Sequence, residues 1–347
     1  MSKNEQIKGE RQAYYDRITP SNLTPLWEVF ADLVTPEPKV QAAAAIWHYD
    51  DIRSFILESG GLITAKEAVR RVLILENPNL RGQSKITNTL YAGLQLILPD
   101  EVAPAHRHSQ SALRFIVEGT GAYTAVEGEK TIMRPGDFVT TPSWAWHDHG
   151  NDSNEPMVWL DGLDIPIINF FDTSFAEELD QDSQSLSRPP GDSQARYGAG
   201  LLPMGYENVS PTSPVFNYPY ERTREALEQM RKAEEWDPCH GLKMRYVNPV
   251  TGDYAMPTMA TFMQLIPAGL ATAPYKSTDG MVYSVAEGTG KTYANGQELS
   301  WGPRDTFVIP SWCAHHHVVD GDAVLFSFSD RPIQEKLGLW RQDRGNH

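Results

Sequence analysis

The sequence predicts a mainly β protein made of two antiparallel sandwich or barrel units, and three observations carry that expectation. The chain repeats itself: EGTGAYTAVEGEKTIMRPGDFVTTPSW (118–144) and EGTGKTYANGQELSWGPRDTFVIPSW (287–312) both open on E-G-T-G and close on P-S-W. Glu118 lies 24 residues before Pro142 and Glu287 lies 23 before Pro310, with Asp137 and Asp305 each five residues before the proline. A match of this length and register implies a duplicated unit of roughly 100 residues. Within each copy the segments are short, rich in β-branched and aromatic residues, and bounded by Gly or Pro. Helical periodicity is confined to the margins, which excludes alternating β/α architectures.

Taken in order, residues 1–75 read as an N-terminal helical and extended segment. Thr64-Ala-Lys-Glu67 has capping-box spacing and opens a short turn ahead of VLIL (72–75), a buried-strand candidate. The first unit spans 76–175, where LRFIVEG and DFVTTP read as strands and VEGEK as a hairpin turn. Residues 176–240, with DQDSQSLSRPPGDSQARYGAG, read as a linker or surface excursion that ends in a helix, REALEQMRKAEEW (224–236). The second unit spans 241–335, with MVYSVAEG and DTFVIP as strands and ANGQE as a turn; 336–347 is a tail.

The 347 residues are 40% hydrophobic with nine Trp, enough for a substantial core. A net charge of −15 opposes binding to nucleic acid or anionic membrane, so an anionic ligand would need a locally positive pocket. The start, MSKNEQIKGERQAYYDR, has no apolar signal core, and no apolar run reaches the ~18–20 residues of a membrane span. Cys239 and Cys313 form no C-x-x-C; they fit a reducing cytosol, with a single disulfide left open. The expected location is cytoplasmic.

APAHRHSQSALRF (103–115) sets His106 and His108 one residue apart. On a strand such residues share a face, so two imidazoles can converge on one point. A second H-x-H, His147 and His149, stands in GDFVTTPSWAWHDHGN (136–151). One such pair is weak; two pairs flanking one strand-rich hairpin point to a metal site. Arg114 keeps the parity of the ligand face. Trp144 and Trp146 read as core filler.

These segments resemble the paired motifs of the cupin superfamily, and the duplication resembles a bicupin. His106, His108 and Gly119 match the first motif, but Ala112 stands at its glutamate. Gly136, Pro142, His147 and Asn151 match the second motif, which makes His147 the third ligand and leaves His149 behind it. Aligning the second E-G-T-G puts Tyr275 and Ser277 at the positions of His106 and His108, with His315 retained. Of His315-His316-His317 only the outer two share a side, so the second half is expected to be a structural partner without metal. Three neutral imidazoles without an acid leave open cis positions that suit ferrous iron, Fe(II).

HRHSQSALRFIVEG, TPSWAWHDHGN, WLDGLDIP (159–166) and RRVLILENP (70–78) together resemble the gentisate 1,2-dioxygenase family. The resemblance implies a cytosolic homotetramer that uses Fe(II) and O₂ to open gentisate to maleylpyruvate. It implies substrate contacts from Arg70, Arg114 and Tyr91, a proton shuttle or hydrogen-bond donor in His149, and in Asp161 a group that orients a histidine. Tyr91 stands where the resemblance places a bulkier indole in salicylate-cleaving members. Salicylate and 1-hydroxy-2-naphthoate cleavage are alternative activities on the same site. A bicupin isomerase or decarboxylase and a non-catalytic bicupin binding protein are the readings from other classes.

Overall fold

The structure, a computed structural model, describes residues 3–207, 210–233 and 235–345. It has two compact units, 1–39 and 40–347. In the first, helices Lys3–Ile18 and Leu26–Leu33 are separated by a 3₁₀ turn, Thr19–Ser21, that ends at left-handed Asn22. The Trp27 indole N–H donates to the Tyr15 hydroxyl at 2.8 Å and ties the two helices together.

Residues 40–347 form two open antiparallel sandwiches, the mainly β duplication expected. The first has a six-stranded sheet in the order Asn217–Tyr218, Phe138–Thr141, Ala112–Glu118, Met157–Leu163, Tyr91–Ile97, Val72–Ile74. Packed against it is a five-stranded sheet of Ala176–Glu178, Val102–His108, His147–Asn151, Ala122–Val126 and Glu129–Ile132. The second sandwich repeats the plan with Ala45–Trp47, Thr306–Ile309, Met281–Glu287, Ala323–Ser329, Ala260–Ile266 and Leu242–Arg245, facing a smaller sheet that contains His315–Val319. Both hairpin turns have two consecutive positive φ angles, Glu127–Gly128 and Asn295–Gly296. This is the type I′ geometry that matches strand twist.

The strands alternate between two cores. Outward-facing Leu94, Leu96, Leu113 and Phe115 of the first large sheet pack on Met263, Leu265, Phe326 and Phe328 of the second. Phe115 stacks on Phe326 at 4.3 Å. Each fully buried side chain of this size contributes about 1.5–3 kcal/mol, so the interface between the sandwiches is as much a core as either interior.

The arms that precede the two copies are exchanged. Ala45–Trp47 pairs with Thr306–Ile309 of the second sandwich, and Asn217–Tyr218 pairs with Phe138–Thr141 of the first. Helix Tyr49–Leu62 follows the first arm and helix Tyr220–Arg231 the second. The backbone N–H of Tyr49 donates to Asp305 (2.8 Å), and that of Tyr220 donates to Asp137 (2.9 Å). Tyr49 and Arg53 then hold Glu118, as Tyr220 and Arg224 hold Glu287. The duplication thus includes a Tyr-x₃-Arg helix ahead of each sandwich.

Asp137 also accepts from the Arg134 N–H at 3.1 Å. Asp137→Ala leaves both N–H groups without their acceptor. It is expected to cost about 3 kcal/mol, from hydrogen bonds to a charged group worth about 1.5–3 each. A lower urea midpoint at unchanged m-value is the readout.

Four local expectations change. VLIL is not a buried strand: Val72–Ile74 is a sheet edge whose Leu73 and Ile74 are exposed, and only Leu75 is buried. Helix 224–236 starts earlier and stops at Arg231, with Glu234 outside the described residues. Residues 176–240 are not a free excursion, because Ala176–Glu178 pairs with the histidine strand and Asn217–Tyr218 closes a sheet. The tail, of which Asn346 and His347 are not described, returns through Gln342–Asp343 to pair with Lys276–Ser277. Thr64 does cap its turn, accepting from the Glu67 N–H at 3.1 Å. Cys239 and Cys313 are both free and buried, so there is no disulfide. Among the described residues no helix is long and apolar enough to cross a membrane.

Candidate active site

The site lies inside the first sandwich. His106 and His108 project from strand Val102–His108, and His147 starts the neighbouring strand, directly opposite His106. The three rings converge, with centroids 4.5 Å (106–147), 4.8 Å (108–147) and 5.2 Å (106–108) apart. One ligand atom from each lies within 4.8 Å of the others, and no comparable His/Cys/Asp/Glu group occurs elsewhere among the described residues. Arg107 faces outward, as alternation requires. It stacks between Trp144 and Trp146 (4.7 and 4.6 Å to the ring centres) and pairs with Glu177. Those tryptophans therefore form a surface clasp rather than core filler.

Second partners orient the rings. His108 Nδ1 lies 2.9 Å from the Gln110 carbonyl and His147 Nδ1 lies 3.0 Å from that of Ala145. A carbonyl only accepts, so each Nδ1 carries the proton and each Nε2 turns a lone pair inward, as a metal ligand must. Burial, reinforced by Arg70 among other neighbouring charges, pushes His106 down to about 2 and holds His147 well below the usual range. His108 falls to about 4, again mainly through burial. The trio is neutral at physiological pH and fits a divalent borderline cation, for which neutral imidazole is a good donor. No acid completes the set; buried Ala112 stands at that side of the pocket.

The trio opens into a cavity of about 220 Å³ whose lining includes Arg70, Tyr91, Gln95, Arg114 and Asp161. Arg114 is buried; it donates to Thr141 Oγ1 at 2.6 Å and to His149 Nε2 at 3.0 Å. Its Nε lies 3.7 Å from Asp161 Oδ1 and makes no hydrogen bond. Arg70 bonds two backbone carbonyls, those of Val69 and Pro104, and keeps a buried Nη2 without a partner. Burial and the facing Arg114 work against its charge, so an anion between the two guanidiniums is favoured.

Two expected site residues have other neighbours than expected. Asp161 bonds no histidine: its Oδ1 accepts from the Trp159 indole at 2.9 Å and faces Arg114. His149 lies behind Arg114 and outside the pocket lining. A guanidinium only donates, so His149 Nε2 accepts from Arg114 and the imidazole proton sits on Nδ1, which is buried without a hydrogen bond. Burial and the Arg114 charge keep it neutral.

Gln95, Val72 and Gly93 join the site without having been singled out. Tyr91, Gly93 and Gln95 alternate inward on one strand, a parity that could have found them. A Cβ on Gly93 would sit 2.4 Å from Val72 Cγ1 and 3.1 Å from the Tyr91 hydroxyl oxygen, so glycine leaves room for that hydroxyl. In the second sandwich Tyr275 faces His315 as His106 faces His147. His315 and His317 are turned onto Cys313 O and Thr292 Oγ1.

Residues 93–163 match the family model described as a cupin domain. A gentisate 1,2-dioxygenase of Aquipseudomonas alcaligenes is 58% identical over 97% of both chains. A 5-aminosalicylate 1,2-dioxygenase of Comamonas is 33% identical over 99% of this chain and 92% of its own. The crystal structure of the Pseudoaminobacter salicylatoxidans salicylate 1,2-dioxygenase, as a gentisate adduct, superposes with a TM-score of 0.92. It is 34% identical, covering 97% of this chain and 94% of that one.

Proposed function

This chain belongs to the gentisate 1,2-dioxygenase family of cupins, and on that premise we propose that it is an Fe(II) enzyme that opens the gentisate ring with O₂ to give maleylpyruvate. One observation carries the reading: three neutral imidazoles uncompensated by an acid share a cavity with two buried guanidiniums. His106, His108 and His147 would hold the iron, which would supply coordination positions for an ortho-hydroxybenzoate and O₂ and a path for ring electrons to reach oxygen.

The protein's own groups do the rest. Arg70, with its unpartnered Nη2, and Arg114 would clamp the substrate carboxylate. Asp161 Oδ2, which has no hydrogen bond among the described residues, would accept the hydrogen bond or proton of a ring hydroxyl. Thr141 and His149 hold Arg114 in place. Tyr91 forms the wall beside the ring, where its phenol leaves more room than an indole and offers a hydroxyl to the second oxygen of gentisate.

Salicylate and 1-hydroxy-2-naphthoate cleavage are the second reading, motivated by the salicylate 1,2-dioxygenase relative whose structure holds gentisate. Relative kcat/KM on the three acids separates the readings, and gentisate is expected to lead. The direct test is anaerobic Fe(II) reconstitution followed by gentisate and O₂. A strongly absorbing ring-opened product at one O₂ per gentisate is expected; none at one iron per chain overturns the assignment.

The enzyme would work in the cytoplasm, where two free buried thiols persist. It would work as a homo-oligomer, an assembly consistent with the exposed stripe Leu26, Trp27, Phe30 and Leu33.

A further inference from the structure

Trp159 is the largest of the fully buried side chains. It lies on strand Met157–Leu163, opposite Gln95 on one neighbouring strand and Ile116 on the other. The indole packs with Ile97, Ile116, Met133 and Val139. A phenyl ring would fill that apolar space nearly as well, yet the residue brings a polar N–H into it.

The N–H has one recipient. Trp159 and Asp161, two apart on one face, are joined by the 2.9 Å bond from Nε1 to Oδ1. The indole also meets the His149 ring edge-on, with centroids 5.4 Å apart and an interplanar angle of 62°. Asp161 and His149 both flank Arg114, beside Thr141. Arg114 Nε is buried without a hydrogen bond although a carboxylate oxygen lies 3.7 Å away. An ion pair free to close would do so, because a charge-assisted bond is worth more than the gap.

We propose that Trp159 is a positioning residue for ring cleavage: its indole N–H holds Asp161 Oδ1 off Arg114, so that Oδ2 and the guanidinium both remain available to the substrate. The inference rests on the gentisate reading above and adds to it the reason the pocket stays open. Without the N–H, the carboxylate is free to close on Arg114 Nε and draw both groups away from the ligand. An arrangement held ready before substrate arrives avoids reorganisation during the reaction.

The role has a pH signature. The groups facing Asp161 are Arg114 from strand Ala112–Glu118, Arg70 from the segment before Val72, Tyr91 from its own strand and the Trp159 N–H. Burial pushes the Asp161 carboxyl up to about 6, while Arg114, the indole bond and Arg70 pull it down. In Trp159→Phe a charge-assisted bond from Arg114 Nε would replace the neutral indole bond, and the closer positive charge favours the ionised carboxylate, so the carboxyl moves down.

The test is Trp159→Phe, which keeps the ring and removes the N–H, compared with Asp161→Asn and the double variant. With iron content equal to wild type, Trp159→Phe is expected to lower kcat/KM for gentisate about tenfold and shift its acid limb to lower pH. Calorimetry of gentisate binding to anaerobic iron-loaded protein should show a parallel weakening. In the Asp161→Asn background the second change should cost nothing more, because the two act as one unit. A wild-type acid limb in Trp159→Phe, or equal losses in both backgrounds, overturns the proposal and leaves Trp159 as packing alone. If Trp159→Phe fails to fold, Asp161→Asn decides by itself: an unchanged acid limb there removes the carboxylate that the indole is said to position. Wild-type protein that neither binds nor turns over gentisate at full iron loading overturns the gentisate reading as well.

Discussion

His108→Ala is expected to leave a folded protein that no longer retains iron and has lost at least about a thousandfold in ring-opening rate. The imidazole stands at the end of its strand, and its Nδ1 donates to the Gln110 carbonyl. Folding should therefore lose no more than about 1 kcal/mol. The metal loses one of three nitrogen donors with no carboxylate nearby to replace it; Ala112 cannot. Loss of an outer-sphere partner alone costs about 10–100-fold in affinity, and loss of a direct ligand should exceed that. Elemental analysis per chain, run beside the gentisate assay and a melting curve, reads all three quantities. An iron-loaded, active His108→Ala protein would remove His108 from the ligand set.

Arg114→Lys should lower kcat/KM by about 10²–10³, or about 3–4 kcal/mol, at unchanged iron content. Charge is conserved, so the loss reports geometry. The planar guanidinium bonds Thr141 and His149 with two different nitrogens while its Nε faces Asp161. An ammonium on a flexible stem cannot keep that fixed fork, and a site built on it is not conserved by lysine. His149 Nε2 and Asp161 would then compete for a single mobile cation in a buried pocket, where each unmet polar group is expensive. A rise in KM alone would mark Arg114 as a carboxylate clamp, whereas a fall in kcat would mark contact with charge that develops during oxygen insertion. Wild-type kinetics would place it outside the reaction.

Much of the site could be read along the chain because its logic is local. Alternation puts His106 and His108 on one face whatever the strand pairs with, and the Pro142-to-His147 spacing needs only a turn; Arg114, on strand Ala112–Glu118 of the facing sheet, reaches the pocket from across the sandwich. The missed features depend on which strands meet. Asp161 was expected to serve a histidine, but the register that pairs Asp161 with Arg114 delivers it to the guanidinium. His149 is expected beside the substrate, but the strand pairing places it behind Arg114, which its Nε2 accepts from. Trp144 and Trp146 look like core until Arg107 turns outward between them. VLIL is apolar enough for an interior strand but lies at a sheet edge. The exchanged arms escaped because Tyr-x₃-Arg is too short a repeat to notice without its partners, Glu118 and Glu287.

By itself the sequence determined the mainly β duplication, the two hairpin turns and the candidate histidine trio, since strand period, turn chemistry and ligand spacing act within a few residues of each other. Tertiary structure decided which acid faces which base, which arm closes which sheet and which indole braces the arginine. Those depend on register between segments far apart in the chain, and it is burial against the other sandwich, rather than any local preference, that selects one register over the rest.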